Sequence, residues 1–299
     1  MKKSWGLALL WLILLVSGCS QPAALTTSDA FANDPYIPYV TALETVVLKA
    51  MYPRAWHHFG SGSGAIFSSS QAFVESGQVG DLDNEAGIIL ETAGASVFGN
   101  GSPTEILNAL LAQQNDLQRA TVASPLTVAG YPGATAIAHQ LANDKDYLVI
   151  FTFIVVDERI ILLLSTRPGN DQEAIINTHQ LFVDSIKIYT LAEINYIDQE
   201  ITYGQSVTTV VQAGELAGVY FNGTAGEVVD LSVVATEEEM DLTVSIFGSD
   251  GAPVTPTLFG GVTAIEGLQL RETTPYFVGI ENLGDVAGQI QFKVTLQGQ

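Results

Sequence analysis

The residues of this 299-residue chain that could do chemistry are few and scattered. Its four histidines are His57, His58, His139 and His179. A zinc site needs several nitrogen or sulfur ligands converging at helical or hairpin spacing. His57 and His58 are adjacent, so in an extended segment they point to opposite faces. His179 falls between Ile175 and Phe182 on the apolar side of a helix-period pattern, where a core histidine is expected. A serine nucleophile needs a strained elbow with a histidine beside it. Gly60-Ser61-Gly62-Ser63-Gly64 has its glycines out of phase with that motif, and no Gly-Lys-Ser/Thr follows to make a phosphate loop. It predicts a glycine-rich hairpin loop. The hydrolase reading left open is a site built around His57, His58 and Asp81. Glu237-Glu238-Glu239-Met240-Asp241 is the one dense acidic run. Glu237, Glu238, Glu239 and Asp241 could give carboxylates to a hard cation, as in calcium-dependent adhesion, or could form a solvated loop between strands. Tyr52, Trp56 and Phe59 either line a ligand groove or pack in a core. No catalytic constellation, metal set or cofactor is expected.

The charge balance narrows the partners. Thirty-two acidic residues face eleven basic ones, a formal net charge of −21. That excludes the basic face of a nucleic-acid binder and electrostatic docking on anionic lipid. Charged residues make up 14% and apolar residues 47%, which excludes a disordered tail and supplies material for buried cores. The length suggests two domains.

The N-terminus reads as an address. Lys2 and Lys3 precede an apolar run, Gly6 to Val16, too short for a comfortable membrane span and suited to a signal peptide. Val16-Ser17-Gly18-Cys19 follows and resembles the bacterial lipobox. The chain's single cysteine stands at that spot. The resemblance implies cleavage after residue 18, acyl chains such as palmitate on Cys19, and a body held on the outer side of the membrane. Ser20 after the cysteine implies outer-membrane sorting where an outer membrane exists. A lipidated Cys19 is no nucleophile. Residues 20–38, with small and polar stretches at 20–24 and 26–30 and with Pro35 and Pro38 near their end, read as a flexible tether.

Residues 39–190 read as an α+β domain, an antiparallel sheet flanked by helices. Ser102-Pro103-Thr104-Glu105 predicts a capped helix with Ile106, Leu107, Leu110, Leu111 and Leu117 on its apolar face. A second helix opens near Asn170 and buries Ile175, Ile176, Phe182, Val183 and Ile186. Tyr147–Val156 is apolar almost throughout, predicting a strand covered on both faces. Asp157-Glu158-Arg159 turns it into a partner, Ile160–Ser165. Strands are also predicted at 44–51, 65–69, 87–92, 133–141 and 187–189. A transmembrane hairpin fits less well, because its arms are short and three charges sit at its centre. Tyr52-Pro53-Arg54-Ala55-Trp56, Gly64-Ala65-Ile66-Phe67-Ser68-Ser69 and Phe182-Val183-Asp184-Ser185-Ile186 resemble the PsbP-like fold over about 150 residues. That resemblance implies a fold and a binding habit, and no shared catalytic triad.

Residues 198–299 read as a β-sandwich of short strands with Gly-rich turns. Leu242, Val244 and Ile246 alternate, as do Ile290, Phe292, Val294 and Leu296. From residue 191 onward fifteen acidic residues face Arg271 and Lys293 alone. Ile201–Val207, Tyr220–Glu227, Asp241–Gly251 and Tyr276–Ile280 resemble the bacterial pre-peptidase C-terminal (PPC) domain. The chain departs from that family's Asp- and Asn-rich positions at Thr257-Leu258-Phe259-Gly260-Gly261 and at Ala217-Gly218. PPC-like domains are accessories on secreted proteins. Tyr196 and Ile197 are too apolar for a free linker and predict a packed junction. The expectation overall is a lipid-anchored, non-enzymatic binding or assembly protein of the cell envelope. Its membrane contact runs through Cys19, its partner is another envelope protein, and nucleic acid is excluded.

Overall fold

The computed structural model describes residues 35–43, 46–61, 64–76, 85–95, 98, 101–114, 117–118, 120–142, 144–169, 172–197, 200–237, 239–251, 253–255, 258–259 and 262–298. Residues 1–34, which hold Cys19 and most of the segment read as a signal peptide and tether, and also Asp81 and Glu238, lie outside them. The chain forms two compact units, an α+β domain and a β-sandwich. One unit holds Ala50–Ile186; the other holds the described residues up to Lys49 together with Lys187–Gln299.

In chain order the elements begin with β1 (Tyr36–Leu43) and β2 (Val46–Pro53). The first unit then supplies β3 (His57–Ser61), β4 (Gly64–Ser68), α1 (Gln71–Ser76) and β5 (Gly87–Gly94). It continues with α2 (Pro103–Gln113), β6 (Leu117–Gln118), β7 (Ser124–Val128), β8 (Tyr131–Ala142), β9 (Lys145–Val156), β10 (Arg159–Pro168) and α3 (Gln172–Asp184). Its sheet runs β3-β4-β5-β10-β9-β8-β6, with β7 also paired to β8. The predicted apolar hairpin is β9–β10, paired antiparallel from Arg159↔Val156 to Pro168↔Tyr147. Residues 147–154 are buried without a break because both faces are covered. Tyr147, Val149, Phe151 and Phe153 pack on the α2 side. Leu148 and Ile150 pack on the α3 side with Ile175. No described helix is long and apolar enough to cross a membrane.

α2 starts as predicted. Pro103 occupies the first turn, Ser102 Oγ accepts from Glu105 N, and Ser102 N donates to the Glu105 carboxylate at 2.8 Å. The predicted stripe overreaches at its end. The helix stops at Gln113, and Leu117 sits in β6 against β8. α1 escapes a periodicity reading because six residues hold less than two turns.

The second unit adds β11 (Lys187–Thr190), β12 (Asn195–Tyr196), β13 (Ser206–Val211), β14 (Leu216–Gly223) and β15 (Val228–Ala235). β16 (Leu242–Phe247), β17 (Leu258–Phe259), β18 (Val262–Gln269), β19 (Thr274–Asn282) and β20 (Gly288–Leu296) complete it. Sheets β12-β14-β19-β16-β17 and β13-β20-β15-β18 enclose one core, with Val219, Phe221, Val244 and Ile280 from one and Val229, Leu231, Phe292 and Val294 from the other. A third sheet, β1-β2-β11, covers the outer face of the first of these. It buries Val40 and Val47 against Leu216, Phe247 and Phe277. Tyr36, Ile37 and Pro38, at the end of the sequence-defined tether, are therefore strand. Residues 39–49 and Lys187–Thr190, which the sequence reading places with the first domain, group with the sandwich. An apolar strand shows that it is covered, but its sequence does not say by which sheet.

β1 is pinned at its far end. Ala42 N donates to Gly251 O at 3.1 Å, and Thr41 Oγ1 to the same oxygen at 3.3 Å. Gly251 has φ +74°, and a Cβ there would collide with the backbone oxygen of Ala42. Gly251→Ala is expected to destabilise this unit by about 2 kcal/mol or more, from the left-handed backbone and the collision together. Urea denaturation of the purified body measures it; an unchanged midpoint would show that β1 is not held there.

Candidate functional site

The first unit contains a serine, a histidine and two threonines in one hydrogen-bonded line. α3 lays His179 over Ser165 of β10 and Thr152 of β9. Thr152 Oγ1 donates to Thr135 Oγ1 at 3.2 Å, and Thr135 Oγ1 donates to Phe151 O at 2.9 Å. The threonine oxygen is thus left to accept from His179 Nε2–H at 2.8 Å. Nδ1 then accepts from the Ser165 hydroxyl at 2.7 Å. A serine donating to imidazole is the start of a nucleophile–base pair. Here Ser165 is 0% and His179 6% exposed, so the pair is closed to a substrate. Burial pushes the His179 pKa down to about 4. The line satisfies buried polar groups inside the core.

The other sequence candidates separate. β3 is extended, so His57 and His58 point to opposite faces of the sheet. His58 Nδ1 meets the Tyr52 hydroxyl at 3.0 Å. Tyr52 packs on Phe67, and Phe67 on Phe182, with ring centroids 5.0 and 5.4 Å apart. Burial raises the Tyr52 pKa to about 12, against the opposing charge of Arg54. Trp56 packs near Ile175 on the α3 side, while Phe59 joins the α2-side core. Tyr52, Trp56 and Phe59 therefore do not line one groove. His139 pairs with Asp146 at 3.1 Å. Gly60, Ser61 and Gly64 are the paired ends of the β3–β4 hairpin. Glu237 and Glu239 are exposed between β15 and β16, with Met240 buried beside them. Among the described residues no three metal-ligating side chains converge.

One ionisable cluster and one lone buried carboxyl stand where the sequence reading named no site. In the second unit Glu281 of β19 is 3% exposed. It accepts from Lys49 Nζ at 2.6 Å, Tyr189 OH at 2.6 Å, Lys187 Nζ at 3.2 Å and Thr243 Oγ1 at 3.3 Å. Burial opposes its ionisation, yet Lys49, Tyr189 and Lys187 outweigh that and hold the carboxyl below the ordinary carboxylate range. Burial lowers the Lys49 pKa more than Glu281 raises it. In the first unit Glu91 of β5 lies between Gly64 of β4 and Leu162 of β10. Burial lifts its carboxyl above the ordinary range.

No family model matches the chain, and no curated protein matches it. Solved structures do. The chain is similar to LpqN, involved in cell envelope biogenesis of Mycobacterium tuberculosis, at 15% identity over 55% of this chain and 98% of that one, with a TM-score of 0.34. It is similar to the cyanobacterial PsbP (CyanoP) of Synechocystis at 13% identity, over 55% of this chain and 99% of that one, with a TM-score of 0.39. It is also similar to the pre-peptidase C-terminal domain of a Bacillus anthracis collagenase, at 12% identity over 34% of this chain and 95% of that one, with a TM-score of 0.24.

Lys49, Glu91 and Glu281 share a signature that sequence reasoning passed over. Each is a lone charge inside an apolar strand: Val46-Val47-Leu48-Lys49-Ala50, Gly87-Ile88-Ile89-Leu90-Glu91, and Phe277-Val278-Gly279-Ile280-Glu281. Such a charge needs a partner or a shifted pKa. Lys49 and Glu281, 232 positions apart in sequence, are each other's partner.

Proposed function

We propose that this chain is a lipid-anchored extracytoplasmic binding or assembly protein without catalytic activity. Acyl chains on Cys19 hold it at the cell envelope, and it engages a protein partner there. The observation that carries the reading is the place of the chain's single cysteine, three positions after the end of an eleven-residue apolar run that a lysine pair precedes. Two or more acyl chains suffice for stable anchoring without basic residues, which suits a chain of net charge −21. The sealed Ser165–His179 line supports binding over turnover, since its hydrogen bonds are spent inside the core.

Metabolic labelling with a palmitate analogue tests the anchor. The wild-type chain is expected to take the label and sediment with membranes; Cys19→Ala is expected to lose both, at least tenfold. A Cys19→Ala chain that is still labelled would overturn the anchor. A crosslinking pull-down from native envelopes, with Cys19→Ala as control, tests the partner. Turnover of an ester, peptide or glycoside by the purified body, abolished by one substitution, would overturn the non-catalytic reading.

A further inference from the structure

One face of the first unit combines half-buried apolar side chains with a carboxylate that has no counter-charge among the described residues. Strand alternation places Glu91 on the same side of the sheet as Phe59, Ile66, Ile89, Leu162 and Leu164. Gly64 stands directly across from Glu91, and a Cβ there would collide with the backbone oxygen of Leu90, so no side chain fills that neighbouring position. α1 reaches this side through Phe73 and Val74, and α2 through Ile106, Leu107 and Leu111. Phe59, Ile89, Leu162 and Leu164 stay only half-buried between them. The strand positions around Glu91 are Gly64, Ile66, Ile89, Ala93, Ile160, Leu162 and Leu164, and none is cationic. Among the described residues Glu91 has no hydrogen-bond or ion-pair partner. Desolvation penalises its charged form and so raises its pKa.

Two costs coincide at this spot. Apolar side chains remain partly wet, and a carboxylate is partly dry without a cation. One kind of occupant removes both. Its apolar side chains cover Phe59, Ile89 and Leu162, and its cation restores the charged form of Glu91.

We propose that this face is the docking site of a partner protein, which lays on it an apolar segment carrying one Lys or Arg opposite Glu91. The proposal rests on the reading of the chain as a binding protein and names the chemistry of its partner.

The test uses the full-length anchored protein in native envelopes, with photoreactive benzoylphenylalanine in place of Phe59 and, as control, in place of the exposed Val210 of the second unit. An adduct is expected from position 59 and none from position 210. Mass spectrometry is expected to map it to a partner segment with a Lys or Arg among apolar residues. Glu91→Lys should cut the yield at least tenfold, and Glu91→Gln by less. Changing the mapped cation to Glu should restore the yield in the Glu91→Lys background. The proposal is overturned by an adduct to a segment lacking a cation, to lipid or to a second copy of this chain. Equal yield from a folded Glu91→Lys protein, or no adduct from a protein with a wild-type melting curve, also overturns it. A pull-down on the same membranes separates the two readings. A partner captured without a position-59 adduct would sink the docking site and leave the binding function standing; an empty pull-down would sink both.

Discussion

Lys49→Met is expected to destabilise the second unit by about 3 kcal/mol, the low end for breaking a buried ion pair. Methionine keeps the length and apolar stem of lysine, so packing changes little. What changes is the charge on Glu281, which is 3% exposed and accepts four hydrogen bonds. The residual partners keep the cost from going higher. Lys187 is half-exposed at 3.2 Å, and Tyr189 donates at 2.6 Å. Removing both charges, as Lys49→Met with Glu281→Leu, is expected to recover most of the loss, because no buried charge is left alone. Urea denaturation of the wild type, both single variants and the double variant gives the coupling energy directly. Added salt should leave that coupling nearly unchanged, since a pair this dry is poorly screened. A single-variant cost below about 1 kcal/mol would mean that Lys49 is solvated and that the three-stranded sheet is not clasped to the sandwich.

This clasp also marks where the sequence ceases to speak. The apolar strands, the Ser102 capping box and the alternation in β16 and β20 were legible because they are local. Each depends on residues within two or four positions of one another. Contacts between Lys49 and Glu281, or between Ala42 and Gly251, cross more than two hundred positions, and no period encodes them. For the same reason the reading of β2 and β11 as strands carries no information on which sheet they cover, and β1 was not read as a strand at all. The His57–His58 pair was legible in the negative: adjacent residues of an extended strand diverge, and they do. Glu91 left a local trace, a charge breaking an apolar run. Its meaning depends on β4 and β10 lying either side of it, with Gly64 and Leu162 as neighbours. Cys19 is the opposite case, a reading made from sequence alone at a position outside the described residues.

The largest pH effect is expected from His179. Burial holds its folded-state pKa near 4, while the unfolded chain takes up the same proton near 6.5. Between those values the unfolded state binds more protons than the folded one. Stability must therefore fall as pH drops through that window, and the loss levels off below about 4. The size follows from the gap between the two pKa values, roughly 3 kcal/mol when the window is fully crossed. The physical cause is burial, and the hydrogen-bonded line shows what an added proton would disrupt. Thr152 donates a hydrogen bond to Thr135, and Nδ1 accepts from Ser165; a proton on Nδ1 would force the fully buried Ser165 hydroxyl to turn away from its acceptor. His179→Gln offers an amide N–H toward Thr152 and an amide oxygen toward Ser165, and it cannot titrate. Its stability should be lower at pH 7, by about 1–2 kcal/mol for imperfect geometry, and should fall less steeply on acidification. Carboxylates elsewhere contribute equally to both proteins, so the difference between the two curves isolates the imidazole. Denaturation midpoints from pH 7 to pH 4 supply it. Parallel curves would show that His179 is protonated in the folded state without penalty, and that the Ser165–His179–Thr152 line is open to water after all.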